Sequence, residues 1–313
     1  MLTPEQMVSL QAERHSLVLD DHIRTEEEYV LHLIHTAAYA HAARLVEGKR
    51  VLDLGCNTGY GSQILARSAA RVTGVDVSGK AIALARKRYA GPGIAFHVID
   101  GMHLPFEGSE FEVVVSFQVI EHIADHARYL GELRRVLAPE GLAVFTTPNA
   151  RLRLAPGMKP WNEFHVREFD HAELAELLVG YFPHVEVYGL FAPEPVYALE
   201  AGRLQRARET AQKAQMRGAA GSRLQAWKAG IKRLLPAAAL AQIHRARRRF
   251  VVRSAGSLEA FRAAYGVEAL FYREDSLEAA LDLMAVCGDS EAALRQARER
   301  LAVETELDER LQA

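Results

Sequence analysis

The 313-residue chain contains only two cysteines, Cys56 and Cys287. They stand far apart in unlike surroundings, so the sequence offers neither a disulfide framework nor a cysteine cluster for zinc. It has no run of about 18 apolar residues, the minimum for a membrane-spanning helix. The segment MLTPEQMVSLQAERHS at the amino end is too polar for a signal peptide. Together these absences predict a cytoplasmic, reducing setting. Repeats and low-complexity tracts are also missing. Hydrophobic residues make up 49% of the chain and charged residues 25%, which fits a folded globular protein and excludes a disordered or fibrous one.

The net charge of −2 hides an asymmetry. Residues 200–253 carry fourteen Lys or Arg against Glu200 and Glu209, a local balance of +12 that leaves the remainder of the chain acidic.

Between Arg50 and Phe191, short β-branched runs alternate with stretches of helical period, as in a doubly wound α/β sheet with helices on both faces. The predicted strands are Arg50–Leu54, Arg71–Val77, Ile94–Ile99, Phe111–Phe117, Leu142–Thr147 and His184–Leu190. The helices are Tyr60–Ala69, Lys80–Tyr89, Asp125–Leu137 and Asp170–Tyr181. A seventh strand is assigned to Ala280–Cys287, although LEAALDLM also satisfies a helical pattern. Four parts follow: a helical lid over 1–49, a core over 50–195, a basic helical insertion over 196–275, and a last strand with a terminal helix over 276–313.

The most informative segment is VLDLGCNTGYGS, residues 51–62, a strand that runs into a glycine-bearing turn and then a helix. Gly55, Gly59 and Gly61 permit positive φ and let backbone N–H groups approach a ligand. A nicotinamide fingerprint beginning at Gly55 would need glycine at 57 and 60, where Asn57 and Tyr60 stand, so dinucleotide binding is disfavoured. The next two strands each end in an acid, Asp76 in GVDVS and Asp100 in VIDGMHLPF. A carboxylate about 20 residues after such a turn is placed to grip ribose hydroxyls. Three successive strand-end acids, with Asp53 in the first, form a much more specific set than one.

With FEVVVSFQVIEHI, ELRRVLAPEGLAVFTTPN and NEFHVREFDHAEL following in order, residues 30–191 resemble class I S-adenosylmethionine-dependent methyltransferases of the methyltransferase-11 type. The resemblance implies a Rossmann-like, seven-stranded α/β fold and S-adenosyl-L-methionine as cofactor. It places Asp53, Gly55, Asn57 and Gly59 around the methionine moiety and Asp76 at both ribose hydroxyls, with Cys56, read as a small side chain packed beneath the turn rather than a nucleophile, and Val77 among the cofactor-binding residues. Asp100, Gly101 and Met102 would bracket the adenine, and Gln118 would lie along the sulfonium side. Two departures stand out. Asn57 replaces a usual glycine, and Ala38 precedes Tyr39 where related sequences often have arginine; if that arginine normally holds the cofactor carboxylate, another group must do so here.

Glu121, His122 and His165 are the catalytic candidates. A metal or base role for Glu121 and His122 stands against a helix-starting acid and a packed histidine. A general base at His165 stands against a loop histidine bonded to Glu168. No metal site is assigned. Trp161 and Phe164 would stack on an acceptor ring or anchor their loop. In the basic segment, Leu224, Trp227, Ile231, Leu234 and Leu235 recur at helical spacing among cationic residues. That pattern suits peripheral contact with an anionic inner membrane surface, or else a helix packed on its own domain. Nucleic acid ranks last, since no binding motif is present, and an oligomer is left open.

The expected activity is methyl transfer to an oxygen or nitrogen of a small-molecule or saccharide acceptor, as in the cell-surface glycan methyltransferases that the HVREF block resembles. The alternatives are a quinone or aromatic-lipid methyltransferase and a non-catalytic, methyltransferase-like binding module.

Overall fold

The strands form because their residues can be buried on both faces at once. In the computed structural model, which describes residues 23–218 and 257–302, Val51, Leu52, Val113, Val114, Val144 and Phe145 are almost wholly enclosed. Such continuous apolar runs are what a parallel sheet covered on both sides requires. The strands are β1 (Arg50–Leu54), β2 (Arg71–Asp76), β3 (Ile94–Val98), β4 (Phe111–Phe117), β5 (Leu137–Pro148), β6 (His184–Phe191), β7 (Phe271–Arg273) and β8 (Asp282–Gly288). They lie in the order β3-β2-β1-β4-β5-β8-β6-β7, with β1 to β5 mutually parallel and β8 antiparallel to both β5 and β6.

The sheet therefore has eight strands rather than the predicted seven. The extra one, β7, is a three-residue edge strand paired with β6 through Gly189, Leu190 and Phe191. It falls inside the stretch 196–275, which the sequence reading assigns wholly to helix. A three-residue run carries no periodicity that such a reading could detect. The ambiguous segment near 280 is a strand, β8, and all seven of its residues are buried. Its place between β5 and β6 leaves no exposed face for the polar side of an amphipathic helix.

Helices cover both faces. On one side, α1 (Glu26–Ala42) contributes Val30, Leu33, Ile34, Ala37 and Ala38 to the core, joined by residues of α2 (Tyr60–Leu65) and α3 (Gly79–Tyr89). On the other, α4 (His126–Val136) inserts Leu130, Leu133 and Val136, and α5 (His171–Val179) inserts Leu174 and Leu178. Helix starts follow local chemistry. Thr25 and Asp170 each form a capping box with the glutamate three residues on, Glu28 and Glu173, while Ser78 and Asp125 cap α3 and α4.

After β6 the chain enters a long helix, α6 (Glu194–Gly218), which packs against α1. Leu204 on it is buried, and Arg203 donates two hydrogen bonds to Glu200, at 2.7 and 2.6 Å. The last helix, α7 (Glu291–Ala302), buries Leu294, Ala297 and Leu301. Trp227, Ile231, Leu234 and Leu235, on which the membrane expectation rests, lie outside the described residues, as does the start of the expected lid, residues 1–22. Among the described residues no helix is long and apolar enough to cross a membrane.

Candidate active site

The strand order reverses between β1 and β4, so the chain leaves these neighbours toward opposite faces and opens a crevice at their carboxyl ends, the usual ligand position in such sheets. A cavity of about 660 Å³ occupies this place, within the range of small-molecule sites.

Its floor is the turn after β1. Gly55 has φ +82° and Asn57 φ +46°, both left-handed. Asparagine tolerates that conformation better than other side-chain-bearing residues, which explains how it can stand where the resemblance leads one to expect glycine. The Asn57 N–H donates to Asp76 Oδ2 at 2.9 Å and the Ser78 N–H to Asp76 Oδ1 at 2.8 Å, so the carboxylate at the end of β2 is held rigidly in the cavity wall.

Gly55, Cys56, Asn57, Asp76, Val77, Gly101, Met102, Gln118, Glu121, His122 and His165 all line the cavity. Asp53, Gly59 and Asp100 do not: Asp53 and Gly59 lie behind the wall, and Asp100 is exposed. Asp53, completely buried, accepts hydrogen bonds from Ser62 Oγ at 2.5 Å and Tyr39 Oη at 3.2 Å. Burial pushes its carboxyl up to about 7, against the lowering effect of those two bonds. Gly59, at φ +83°, faces Phe96 and Ala85. Asp100 accepts from the N–H groups of Met102 and His103 and so fixes the turn through Gly101, whose φ is +75°. Those bonds, from His103 and Met102, hold its carboxyl below the usual range. Cys56 is buried, and burial raises its thiol well above the ordinary value, which disfavours the nucleophilic thiolate.

Gln118 adopts φ +56°, and its N–H donates to Thr146 O. Its side-chain amide donates to both oxygens of Asp282 at 3.2 and 3.0 Å. Asp282 is buried at the start of β8, and burial raises its carboxyl well above the usual range. Sequence reasoning missed this residue. The signal was an isolated acid heading an apolar strand, but its partner lies 164 positions away.

The other end of the cavity lies over β4 and β5. After β4, a single 3-10 turn, Ile120–His122, presents Glu121 and His122. The Glu121 carbonyl accepts from the N–H of Val166 at 2.8 Å and of Arg167 at 3.3 Å, which pins the loop carrying His165 against the turn. As a result the two imidazoles meet edge to face, 4.8 Å between centroids. His122 Nδ1 is 2.9 Å from Phe164 O, and His165 Nδ1 is 2.7 Å from Glu168 Oε1. Glu168 also receives Nε and Nη2 of Arg153, at 2.9 and 3.0 Å. Burial alone would raise the Glu168 carboxyl, but the bonds from His165 and Arg153 outweigh it and leave it lowered. Glu121 differs: burial raises its carboxyl to about 7 despite the nearby His165. Its Oε2 accepts from Thr147 at 3.1 Å, whereas Oε1 is buried with no hydrogen-bond partner among the described residues. Trp161 and Phe164 line this end as well.

Three further lining residues were not anticipated as site residues. His35 comes from α1, and burial, with His32 and Arg203 adding to it, lowers its pKa to about 4. Arg203 comes from α6, and Arg153 stacks over Trp161 at 4.6 Å. Only the packing of distant helices brings the first two to this wall. A wider groove of about 870 Å³, between the 150–173 segment and Arg208, is lined by none of the strand-end acids.

This arrangement, a glycine turn after β1, an acid ending β2 and a crevice at the strand reversal, is that of a class I, Rossmann-like α/β fold with its ligand crevice at the carboxyl ends of the strands. Residues 52–145 match the family model described as a methyltransferase domain. A relative named "probable S-adenosylmethionine-dependent methyltransferase" from Mycolicibacterium smegmatis is 41% identical over 46% of this chain and 55% of its own length. A ubiquinone biosynthesis O-methyltransferase of Rhizobium leguminosarum is 34% identical over 36% of this chain and 46% of its own. The chain spans about half the length of these curated relatives. A solved S-adenosylmethionine-dependent methyltransferase from Mesorhizobium loti is 23% identical, with a TM-score of 0.41 over 51% of this chain and 86% of its own.

S-adenosylmethionine is the cofactor that this family and fold imply, and the donor set suits it. A rigidly held carboxylate at Asp76 can accept a ribose diol, and Val77, Ile99 and Leu104 offer apolar surface for a base. Gln118, also in the lining, is held by the buried acid Asp282 behind it.

Proposed function

We propose that the protein transfers the methyl group of S-adenosylmethionine to a hydroxyl oxygen of a small acceptor, with a saccharide hydroxyl as the leading class. The observation that carries this reading is the cluster of Glu121, His122 and His165 at the opposite end of the cavity from Asp76. A neutral amine is nucleophilic as it stands, whereas a hydroxyl must lose its proton.

When bound, the cofactor supplies a methyl already activated on a sulfonium. The acceptor oxygen would form the new O–C bond as the C–S bond broke with its electron pair going to sulfur, and the cluster of Glu121, His122 and His165 would take the hydroxyl proton and pass it to solvent. What the chain contributes is alignment and exclusion of water, worth about 7 to 11 kcal/mol in the best-oriented cases. The turn after β1 and Asp76 fix one reactant, and the loop over 162–167 closes the acceptor end. Arg203, beside His35 on the cavity wall, takes the role that Ala38 leaves open, holding the cofactor's carboxylate.

An aromatic quinol is the second reading. Trp161, Phe164 and Phe117 line the cavity, where an aromatic ring could stack, and one group of relatives is named for ubiquinone biosynthesis. Incubation of the purified protein with methyl-labelled cofactor and saccharide, quinol and amine acceptors tests both. Label on a hydroxyl oxygen supports the proposal, and label confined to amines refutes it.

A further inference from the structure

We infer that Glu121, His122 and His165 form a binding site for a divalent first-row transition ion that faces the acceptor. The inference rests on the methyl-transfer reading above and deepens it, because the cluster would act on the acceptor hydroxyl through the ion instead of taking the proton itself.

Three features of the cluster point to a cation. First, one ligand atom from each of the three residues lies within 4.8 Å of the others, so modest side-chain rotation brings all three to the roughly 2.0 to 2.2 Å bonds of such ions. Second, the Nδ1 atom of each imidazole already faces an acceptor, Phe164 O for His122 and Glu168 Oε1 for His165. Donation from Nδ1 fixes the tautomer in which Nε2 carries the lone pair, and metal-ligating histidines are held by this kind of outer bond. Third, Glu121 Oε1 is buried without a hydrogen-bond partner among the described residues. A buried carboxylate oxygen left unsatisfied is costly, and a cation would satisfy it.

The ligand types select the ion. Two imidazoles and one carboxylate suit zinc, manganese, iron(II) or cobalt, whereas calcium and magnesium prefer all-oxygen sites. Three protein ligands also leave coordination positions open, as in catalytic rather than structural sites. Those positions face a cavity large enough for the acceptor. An ion there would lower the pKa of a coordinated hydroxyl so that its proton passes to water. This role demands an oxygen acceptor and gives the pairing of Glu168 with Arg153 a function, namely holding His165 in place.

The test is Co²⁺ titration of the full chain, free of any tag, read by the visible absorption of the bound ion and by equilibrium dialysis. A single ion per chain is expected. His122→Ala and His165→Ala should abolish the spectrum. Glu168→Gln should weaken binding about 10- to 100-fold, the usual effect of removing the group that orients a ligating histidine. His97→Ala, outside the cluster, should leave it intact. Failure of the wild type to take up Co²⁺, Mn²⁺ or Zn²⁺, or equal uptake by every variant, overturns the inference. Calorimetry with S-adenosylhomocysteine on the same samples verifies that each variant is folded. It also tests the cofactor reading separately, since absent binding in the wild type would overturn that reading whatever the cobalt result.

Discussion

Replacement of Asp53 by asparagine should change how stability depends on pH. The Asp53 carboxyl is fully enclosed, and burial raises it from 3.8 to about 7. In the unfolded chain it ionises near its ordinary value, so between about pH 4 and pH 7 the folded state holds a proton that the unfolded state has released. Stability from this group therefore falls as pH rises through that window and levels off above it. This is the reverse of a salt-bridged carboxylate, whose stabilisation is lost on acidification. The difference between the folded and unfolded values, at about 1.36 kcal/mol per pH unit, corresponds to a cost of about 4 kcal/mol above neutrality. The amide introduced by Asp53→Asn does not titrate, and it keeps an oxygen to accept from either Tyr39 or Ser62. The stability of Asp53→Asn minus that of the wild type should thus rise by up to about 4 kcal/mol between acid and mildly alkaline pH. Urea denaturation at a series of pH values measures it, and taking the difference cancels the titration of unrelated groups. A difference independent of pH would refute the reasoning and mean that Asp53 ionises normally in the folded protein.

Asp76→Ala should weaken S-adenosylhomocysteine binding by about 1.5 to 3 kcal/mol in calorimetry, the worth of hydrogen bonds to a charged group; unchanged affinity would remove Asp76 from the ribose site. Gly61→Ala should lower thermal stability by about 1 to 3 kcal/mol, because a Cβ there would run into the Tyr39 ring and force it off Asp53. An unaltered melting temperature would show that the ring moves freely. From the sequence of residues 200–253, with a balance of +12, the protein should sediment with anionic but not neutral vesicles and release as salt rises. Trp227→Ser with Ile231→Ser should reduce that binding, and no binding to anionic vesicles at low salt would reject it.

The parallel half of the sheet was legible because its strands are short, β-branched and separated by clear helical periods, a local pattern that tertiary contacts reinforce. The crevice wall was legible for the same reason: Gly55, Asn57 and Asp76 all fall at or just after strand ends, and strand ends of such a sheet share one edge. The antiparallel half was harder. β7 is too short to carry a pattern, and the residues of β8 fit either period until burial on both sides selects the strand.

The sequence by itself determined the α/β class, the turn after β1 and the acids that follow it, since each depends on residues near one another in the chain. It also named Glu121 together with His122 and, separately, His165. Only the tertiary structure decided that they meet, through the bonds from Val166 and Arg167 to the Glu121 carbonyl. It likewise decided that Asp53 stands behind the cavity wall, that Asp282 reaches Gln118, and that Arg203 and His35 join the lining of the cavity. The physical reason is common to all: these contacts join segments well separated along the chain, and their distances are set by how helices and loops pack on the sheet, which no local pattern encodes.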